Sequence, residues 1–283
     1  MSAPRSRSAA PPAGPPWDAP IAEAKLAFVD LEMTGLRADV DRVIEVCVER
    51  VEGERVVASL ASLVRPDVWA FGNAHIHGID PREVERAPTF AELAPRVAEL
   101  LDGAVLVAHA AAWDVAFLEA EFARAGASSR VPFYLDTLTL SRRAFALPSH
   151  RLGALAEAFG VEQRAAHRAE DDVRVLREVF RRVSAQLAPT TPRDLWHVRV
   201  GNKLARPDIV AAAVRAAEVG AAVDVRFRRA RKAPEELALV VKSVRTDVDP
   251  PLVLAYDLRT RSRLELRADR ILAITARAEA ATP

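Results

Sequence analysis

The sequence predicts an α/β domain followed by a smaller, β-rich domain. Three observations support this. The 283 residues, half of them apolar, can fill two modest cores. The wholly apolar run Ala104 to Ala108, AVLVA, sits between two stretches of helical periodicity, as a strand covered on both faces does. After Thr190 the pattern changes to short alternating segments rich in Val and Leu. We expect a disordered Pro/Ala-rich tail over 1–22, the α/β domain over 23–189 and the second domain over 190–283.

Six prolines and no apolar core in the first twenty residues argue for a tail and against a secretory signal. No run approaches the roughly 18 to 20 uncharged apolar residues of a membrane span, so a cytoplasmic location is expected. The first strand is expected in Phe28 to Leu36, FVDLEMTGL, where apolar residues lead to a Thr-Gly turn. Asp30 and Glu32, two apart, would share one face of it. Adjacent half-buried carboxylates repel and lose solvation, so the natural resident beside them is a hard divalent cation, although a solvated strand end would also accommodate both.

Val43 to Val51 and Arg55 to Val64 read as an antiparallel hairpin about Glu52-Gly53-Glu54, with Cys47, the only cysteine, as a small buried hydrophobe. Phe71 to Asp80 reads as a loop, whose His75 and His77 lack the further ligands a metal site needs. Thr89 and Glu92 form a capping-box pattern for a helix over Phe90 to Leu101, with Leu93, Val97, Leu100 and Leu101 on its apolar face. After the apolar strand comes a helix with Asp114 near its start and Trp113, Phe117, Leu118 and Phe122 at core spacing. Pro132 to Leu135 is a short strand, with Asp136 as cap of the next helix. Another helix follows from Arg151, and the last one of the domain opens near His167 and Asp172, with Val173, Leu176, Val179 and Phe180 inward. Taken singly, an aspartate in a first turn serves the helix dipole and a histidine before a helix is structural.

Three stretches change that reading: DLEMTG at Asp30 to Gly35, AHAAAWDVAFL at Ala108 to Leu118 and HRAEDD at His167 to Asp172. In order and spacing they resemble the motifs of the DEDDh 3′ to 5′ exonucleases, the group of the bacterial replicative proofreading subunit and oligoribonuclease, over roughly Lys25 to Ala188. The resemblance implies a ribonuclease H-like mixed sheet flanked by helices. It also implies that Asp30, Glu32, Asp114 and Asp172 bind two divalent cations, Mg²⁺ or Mn²⁺, and that His167 is the general base. Two such ions about 4 Å apart can stabilise both the attacking and the leaving oxygen of a phosphodiester, and a histidine that titrates near neutrality suits removal of a proton from water. Met33, Thr34, Gly35, Leu36, His109 and Trp113 would contact the terminal nucleotide, and Asp171 would be structural. Many relatives carry Asn and Phe where this chain has Ala110 and Trp113. The first motif is worded like oligoribonuclease, the second like the proofreading branch.

From Arg193 onward the chain has 18 Lys and Arg against 12 Asp and Glu, and before it 22 against 27, so its back part is basic. A helix is expected over Pro207 to Val219, then strands at Ala222 to Arg228, Leu237 to Val244, Leu252 to Leu258, Arg263 to Leu266 and the LRADRILAI tail. This segment resembles a WYL-type domain without the tryptophan of that motif. Arg226, Arg228, Arg229, Arg231 and Lys232 form a basic run that could grip phosphates or simply guard a strand edge. The expected function is metal-dependent release of nucleoside monophosphates from single-stranded or frayed DNA 3′ ends, in proofreading or repair and beside a polymerase or repair complex. The rivals are degradation of very short RNA and non-catalytic nucleic-acid sensing.

Overall fold

The apolar run is a strand: in the computed structural model, which describes residues 10–68, 77–127, 131–164, 166–198, 206–229, 234–248 and 250–277, Val105–Ala108 forms β4 and is buried throughout. It belongs to a sheet of order β3-β2-β1-β4-β5, with β1 at Lys25–Met33, β2 at Val43–Glu52, β3 at Arg55–Leu63 and β5 at Tyr134–Asp136. β1 pairs parallel with β4 and β4 with β5, while β2 and β3 are antiparallel. The sheet is therefore mixed. Its central β1 is almost continuously apolar up to Val29, whereas edge strand β3 is largely open to solvent.

The hairpin turns in two residues, with Glu52 paired to Arg55. Gly53 occupies the left-handed region at φ 63°, and a Cβ there would lie 2.9 Å from the Ala22 carbonyl oxygen. Glycine is needed on both counts.

Helix α1 is the short Pro81–Val84, and α2, Phe90–Leu101, starts with the expected capping box: the Glu92 carboxylate accepts from the Thr89 N–H at 2.7 Å. Its buried stripe is Phe90, Ala94, Val97 and Leu100, with Leu93 and Leu101 at the flanks. Phe90 meets Phe122 of α3, Ala112–Arg124, edge to face at 5.3 Å. Helix α4 is Thr137–Ala144, α5 Leu152–Phe159 and α6 Ala169–Leu187. Val173, Leu176, Val179 and Phe180 of α6 are buried as expected, and Phe180 packs against Phe28 of β1 at 5.4 Å.

Residues 10–22 depart from the expected tail. Trp17 is 5% exposed and stacks edge-on against Phe133, the Ile21 N–H donates to the Thr190 carbonyl at 2.8 Å, and Asp18 pairs with Arg193. One large aromatic among the prolines is enough to anchor the segment, because its burial supplies the apolar area that proline-rich chain otherwise lacks.

The chain divides into two compact units, the second comprising residues 139–148, 183–189 and 194–283. Besides most of α7, Pro192–His197, and all of α8, Pro207–Val219, it has an antiparallel sheet of order β10-β6-β7-β8-β9. These strands are β6 Ala222–Phe227, β7 Glu235–Arg245, β8 Leu252–Asp257, β9 Ser262–Arg267 and β10 Ile271–Ala276. Ile209 and Ala213 of α8 close its core against Val225, Leu239 and Ile271. Among the described residues no helix is long and apolar enough to cross a membrane.

Gly53→Ala is expected to lower the unfolding free energy by about 1–2 kcal/mol, the cost of a Cβ in the left-handed region, with more from the Ala22 contact. Urea denaturation with the slope unchanged checks this; an unchanged midpoint would mean that the hairpin does not depend on this turn.

Candidate active site

Asp30 and Glu32 lie on one side of β1, near its C-terminal end. β1 pairs with β4 from Leu26↔Val105 to Phe28↔Val107, so Asp30 stands level with the point where β4 gives way to a loop. That loop, His109 to Ala111, leads into α3 and places Asp114 in its first turn, 5% exposed. The Leu31 N–H hydrogen-bonds the Asp114 carboxylate, tying helix to strand. Asp172, in the first turn of α6 and 6% exposed, accepts from Gln163 Nε2 at 2.7 Å and from the His167 N–H at 3.2 Å. Glu32, His167 and Asp172 each offer a ligand atom within 4.8 Å of the others. His167 itself is exposed, with φ 62°.

These carboxylates resist ionisation together. Asp30 is held well above the usual carboxylate range, first by burial and then by Asp114, Asp172, Glu32 and Glu45. Burial, then Asp172, Glu45 and Asp114, pushes Glu32 up to about 8. Asp114 rises to about 7, through burial only partly offset by the amides it accepts from, and Asp172 is raised by burial as well. A cluster of oxygen donors with one imidazole fits a hard divalent cation, whose charge would reverse these shifts.

Glu45 was not singled out in the sequence. It faces Glu32 across the β1–β2 pair, a direct like-charge opposition. Its carboxylate accepts from Arg168 Nη2 at 3.0 Å and from the Ala169 N–H at 3.0 Å, so it holds the start of α6 immediately after His167. Arg168 also counteracts the upward shift of Glu32. The only signal was a lone acid inside VIEVCV, an otherwise apolar strand.

The flanking residues divide. Thr34 is buried, and its hydroxyl accepts from the Arg42 N–H at 3.0 Å, closing the loop after β1. A Cβ on Gly35 would meet the Asp41 carboxylate at 2.4 Å, so this glycine permits a close approach. Met33 is half-buried, and Leu36, 64% exposed, lies open at the loop. Trp113 is 50% exposed, which corrects its expected place in the core: side chains lean toward a helix's N-terminus, and in the first turn that direction leads off the helix. The His109 ring bonds Thr137 Oγ1 at 2.9 Å. Ala110 has φ 59° and donates its N–H to Asp136 Oδ1 at 2.9 Å, while Asp136 also accepts from the Leu138 N–H. An asparagine, which tolerates the left-handed region, suits that place better than alanine.

Asp171 is structural, accepting from the Arg164 N–H and pairing with Arg174. His77 is buried, its Nδ1 accepting from the Ile79 N–H, and His75 lies outside the described residues. Burial drives the Cys47 thiol upward, as befits an inert core residue. In the second unit Arg226 lies 3.5 Å from Glu236 and bonds Gln186, and Arg229 pairs with Glu235 at 2.5 Å. Arg228 instead donates to a backbone carbonyl, that of Arg142, and Arg231 and Lys232 lie outside the described residues.

A family model described as Exonuclease, of the RNase T type, matches residues 27–180. DNA polymerase III subunit epsilon of Treponema pallidum is 35% identical over 174 residues, 60% of this chain and 81% of that protein. A PolC-type DNA polymerase III of Caldanaerobacter subterraneus is 33% identical over 160 residues, 56% of this chain but only 11% of that protein. Among solved structures, the zinc-bound complex of E. coli exonuclease I with single-stranded DNA superposes with a TM-score of 0.56 at 19% identity, over 83% of this chain and 55% of that one. The last comparison concerns the fold.

Because Asp114 and Glu32 have folded-state values near 7 and 8, the folded chain holds more protons than the unfolded chain between about pH 4 and pH 8. Metal-free stability therefore falls as pH rises through that window. In chelator, the melting temperature is expected to be higher at acid pH than above neutrality, and Asp30→Asn to leave it unchanged or raise it at the alkaline end. A clear loss on Asp30→Asn would contradict the repulsion. At Glu45 two effects oppose each other, relief of repulsion and loss of a buried charge-assisted anchor. Hydrogen bonds to charged groups contribute about 1.5–3 kcal/mol, so the anchor is expected to win and Glu45→Ala to destabilise by about 1–2 kcal/mol, Glu45→Gln by less. A stabilised Glu45→Ala in urea denaturation would show repulsion dominating.

Proposed function

The chain belongs to the RNase T exonuclease family, its model spanning residues 27–180, and from that membership we propose a divalent-metal-dependent 3′ to 5′ exonuclease acting on single-stranded or frayed DNA ends. The observation that supports this most directly is the gathering of Glu32, His167 and Asp172 within 4.8 Å, beside Asp30 and Asp114, at the end of β1. Asp30, Glu32, Asp114 and Asp172 would hold two ions, Mg²⁺ or Mn²⁺, which when bound offset the phosphate's charge and stabilise the attacking and leaving oxygens.

The chain's own groups supply the rest. His167 stands exposed, where its imidazole can accept a proton from the attacking water. The bond from its N–H to Asp172 fixes its backbone against a first-turn carboxylate. Thr34 and Gly35 form a tight loop that would receive the 3′ end, and exposed Leu36 and Trp113 offer apolar faces on which terminal bases can stack. Polymerase or repair complexes are the proposed setting, on the likeness to a polymerase III subunit.

Product analysis on a 5′-labelled single-stranded DNA and a matched short RNA, with Mg²⁺ or Mn²⁺, tests this. Stepwise shortening from the 3′ end is expected in the wild type, faster on DNA, and absent in Asp172→Ala. Preference for the short RNA would place the enzyme with the oligoribonucleases. Binding without any shortening would overturn catalysis in favour of a sensor, with Ala110 the first position to restore to asparagine.

A further inference from the structure

The second unit brings several arginines close enough to act on one another electrostatically. β6 runs Val223, Val225 and Phe227 inward, so the residue after it, Arg228, emerges at the strand end. Its N–H donates to the Arg270 carbonyl at 3.0 Å, and its guanidinium donates to the carbonyl of Arg142, next in sequence to Arg143. Arg143 Nε donates to the Val198 carbonyl at 2.9 Å. These bonds bring Arg228, at the end of β6, against the backbone of α4 beside Arg143 and against the backbone of Arg270 in the turn before β10. Among the described residues, nearby carboxylates have arginine partners of their own: Asp269 is paired with Arg267 at 2.9 Å, Glu235 with Arg229, and Glu236 faces Arg226.

Two features set this cluster apart from an ordinary solvated edge. Arg228 Nε is buried and, among the described residues, has no hydrogen-bond partner. Buried N–H groups are normally paired, so an orphan beside like charges marks a place for an acceptor. The guanidiniums also weaken one another: Arg228 is pulled below its ordinary value by burial and by Arg143 and Arg270, and Arg143 by burial and by Arg270 and Arg267, against Asp269 alone. An oxyanion would relieve both, because guanidinium forks match phosphate oxygens.

We propose that Arg143, Arg228 and Arg270 form a phosphate-binding site on the second unit that grips the backbone of a single-stranded nucleic acid. The identity of the phosphate's bearer rests on the exonuclease reading; the site itself rests on the arginines. Phosphate binding of this kind positions a strand without reading its sequence. Two of the three residues fall outside the 226–232 run, and the two neighbours of Arg228 in that run, Arg226 and Arg229, are occupied with Glu236, Gln186 and Glu235.

The test uses the full chain in chelator, with a labelled long oligothymidylate in fluorescence anisotropy across a salt series. Arg228→Gln and Arg270→Gln are each expected to weaken binding and to reduce the log–log salt slope by about 0.7 for every phosphate that the variant no longer neutralises. With Mg²⁺ restored, hydrolysis of the p-nitrophenyl ester of thymidine 5′-monophosphate, a substrate with a single phosphodiester, is expected to be unchanged. Melting temperatures separate misfolding from a local defect in binding: removing one repelling charge should leave the variants as stable as the wild type or more so, and inorganic phosphate should raise the melting temperature of the wild type more than theirs. Unchanged affinity and slope in both variants would overturn the site. Loss of the phosphate effect with strand binding intact would overturn the strand as ligand, leaving a site for a free anion. A wild type that hydrolyses nothing yet binds in an Arg228- and Arg270-dependent way would overturn the exonuclease reading and leave this site standing.

Discussion

Mutual repulsion among carboxylates is the constraint to which the α/β unit is built. Asp30, Glu32, Asp114 and Asp172 come from three elements, β1, α3 and α6, and every one is driven above its ordinary range. A chain selected for stability alone would separate such groups, or surround them with lysine and arginine. Among the described residues one arginine, Arg168, sits beside Glu45 and Glu32, the His167 side chain favours the charge of Asp172, and the hydrogen-bond donors to Asp114 and Asp172 are neutral: the Leu31 and His167 amides and the Gln163 side chain. Neutral donors orient a carboxylate without cancelling its charge, so the site stays able to attract a cation.

The scaffold tolerates this because the rest of the sheet is apolar and continuous. Val29 and Leu31 flank Asp30 and are buried, and Phe28 is fixed by Phe180 from the helix that carries Asp172. The aromatic pair therefore joins the strand with two of the acids to the helix with another. Glu45 adds a second tie between the same sheet and helix, through Arg168 and the Ala169 N–H. Apolar packing sets the distance between the elements, and the ion pair sets the orientation of the turn in which His167 sits.

Most of this was legible in the sequence, for identifiable reasons. Two acids at i and i+2 in an apolar strand mark a face, and Thr89 with Glu92 marks a helix start, because each signal is local and has few alternatives. Glu45 was hidden because its meaning is wholly non-local: its partner is 123 positions away, and nothing in VIEVCV distinguishes an anchor from a solvated acid. Trp113 misled for a different reason. Helical spacing describes the angle around the axis but not the end of the helix, and a first-turn side chain leans past that end. Trp17 shows the converse, since a proline-rich composition argues for disorder only where no large apolar side chain finds a pocket.

The two units treat charge in opposite ways, and that contrast bears on how a polyanion would be handled. In the first, acids gather at the end of β1, where a bare phosphate would be repelled unless cations were bound. In the second, burial together with Arg143 and Arg270 draws Arg228 below its ordinary range, and burial with Arg270 and Arg267 does the same to Arg143. A polynucleotide held only by the first would be bound through its terminal phosphodiester and released after each cleavage. Under the proposal, the arginine cluster would instead hold phosphates that take no part in the bond that breaks. Electrostatic attraction to phosphate is also independent of sequence, so under the proposal the arginine site would accept a strand of any sequence.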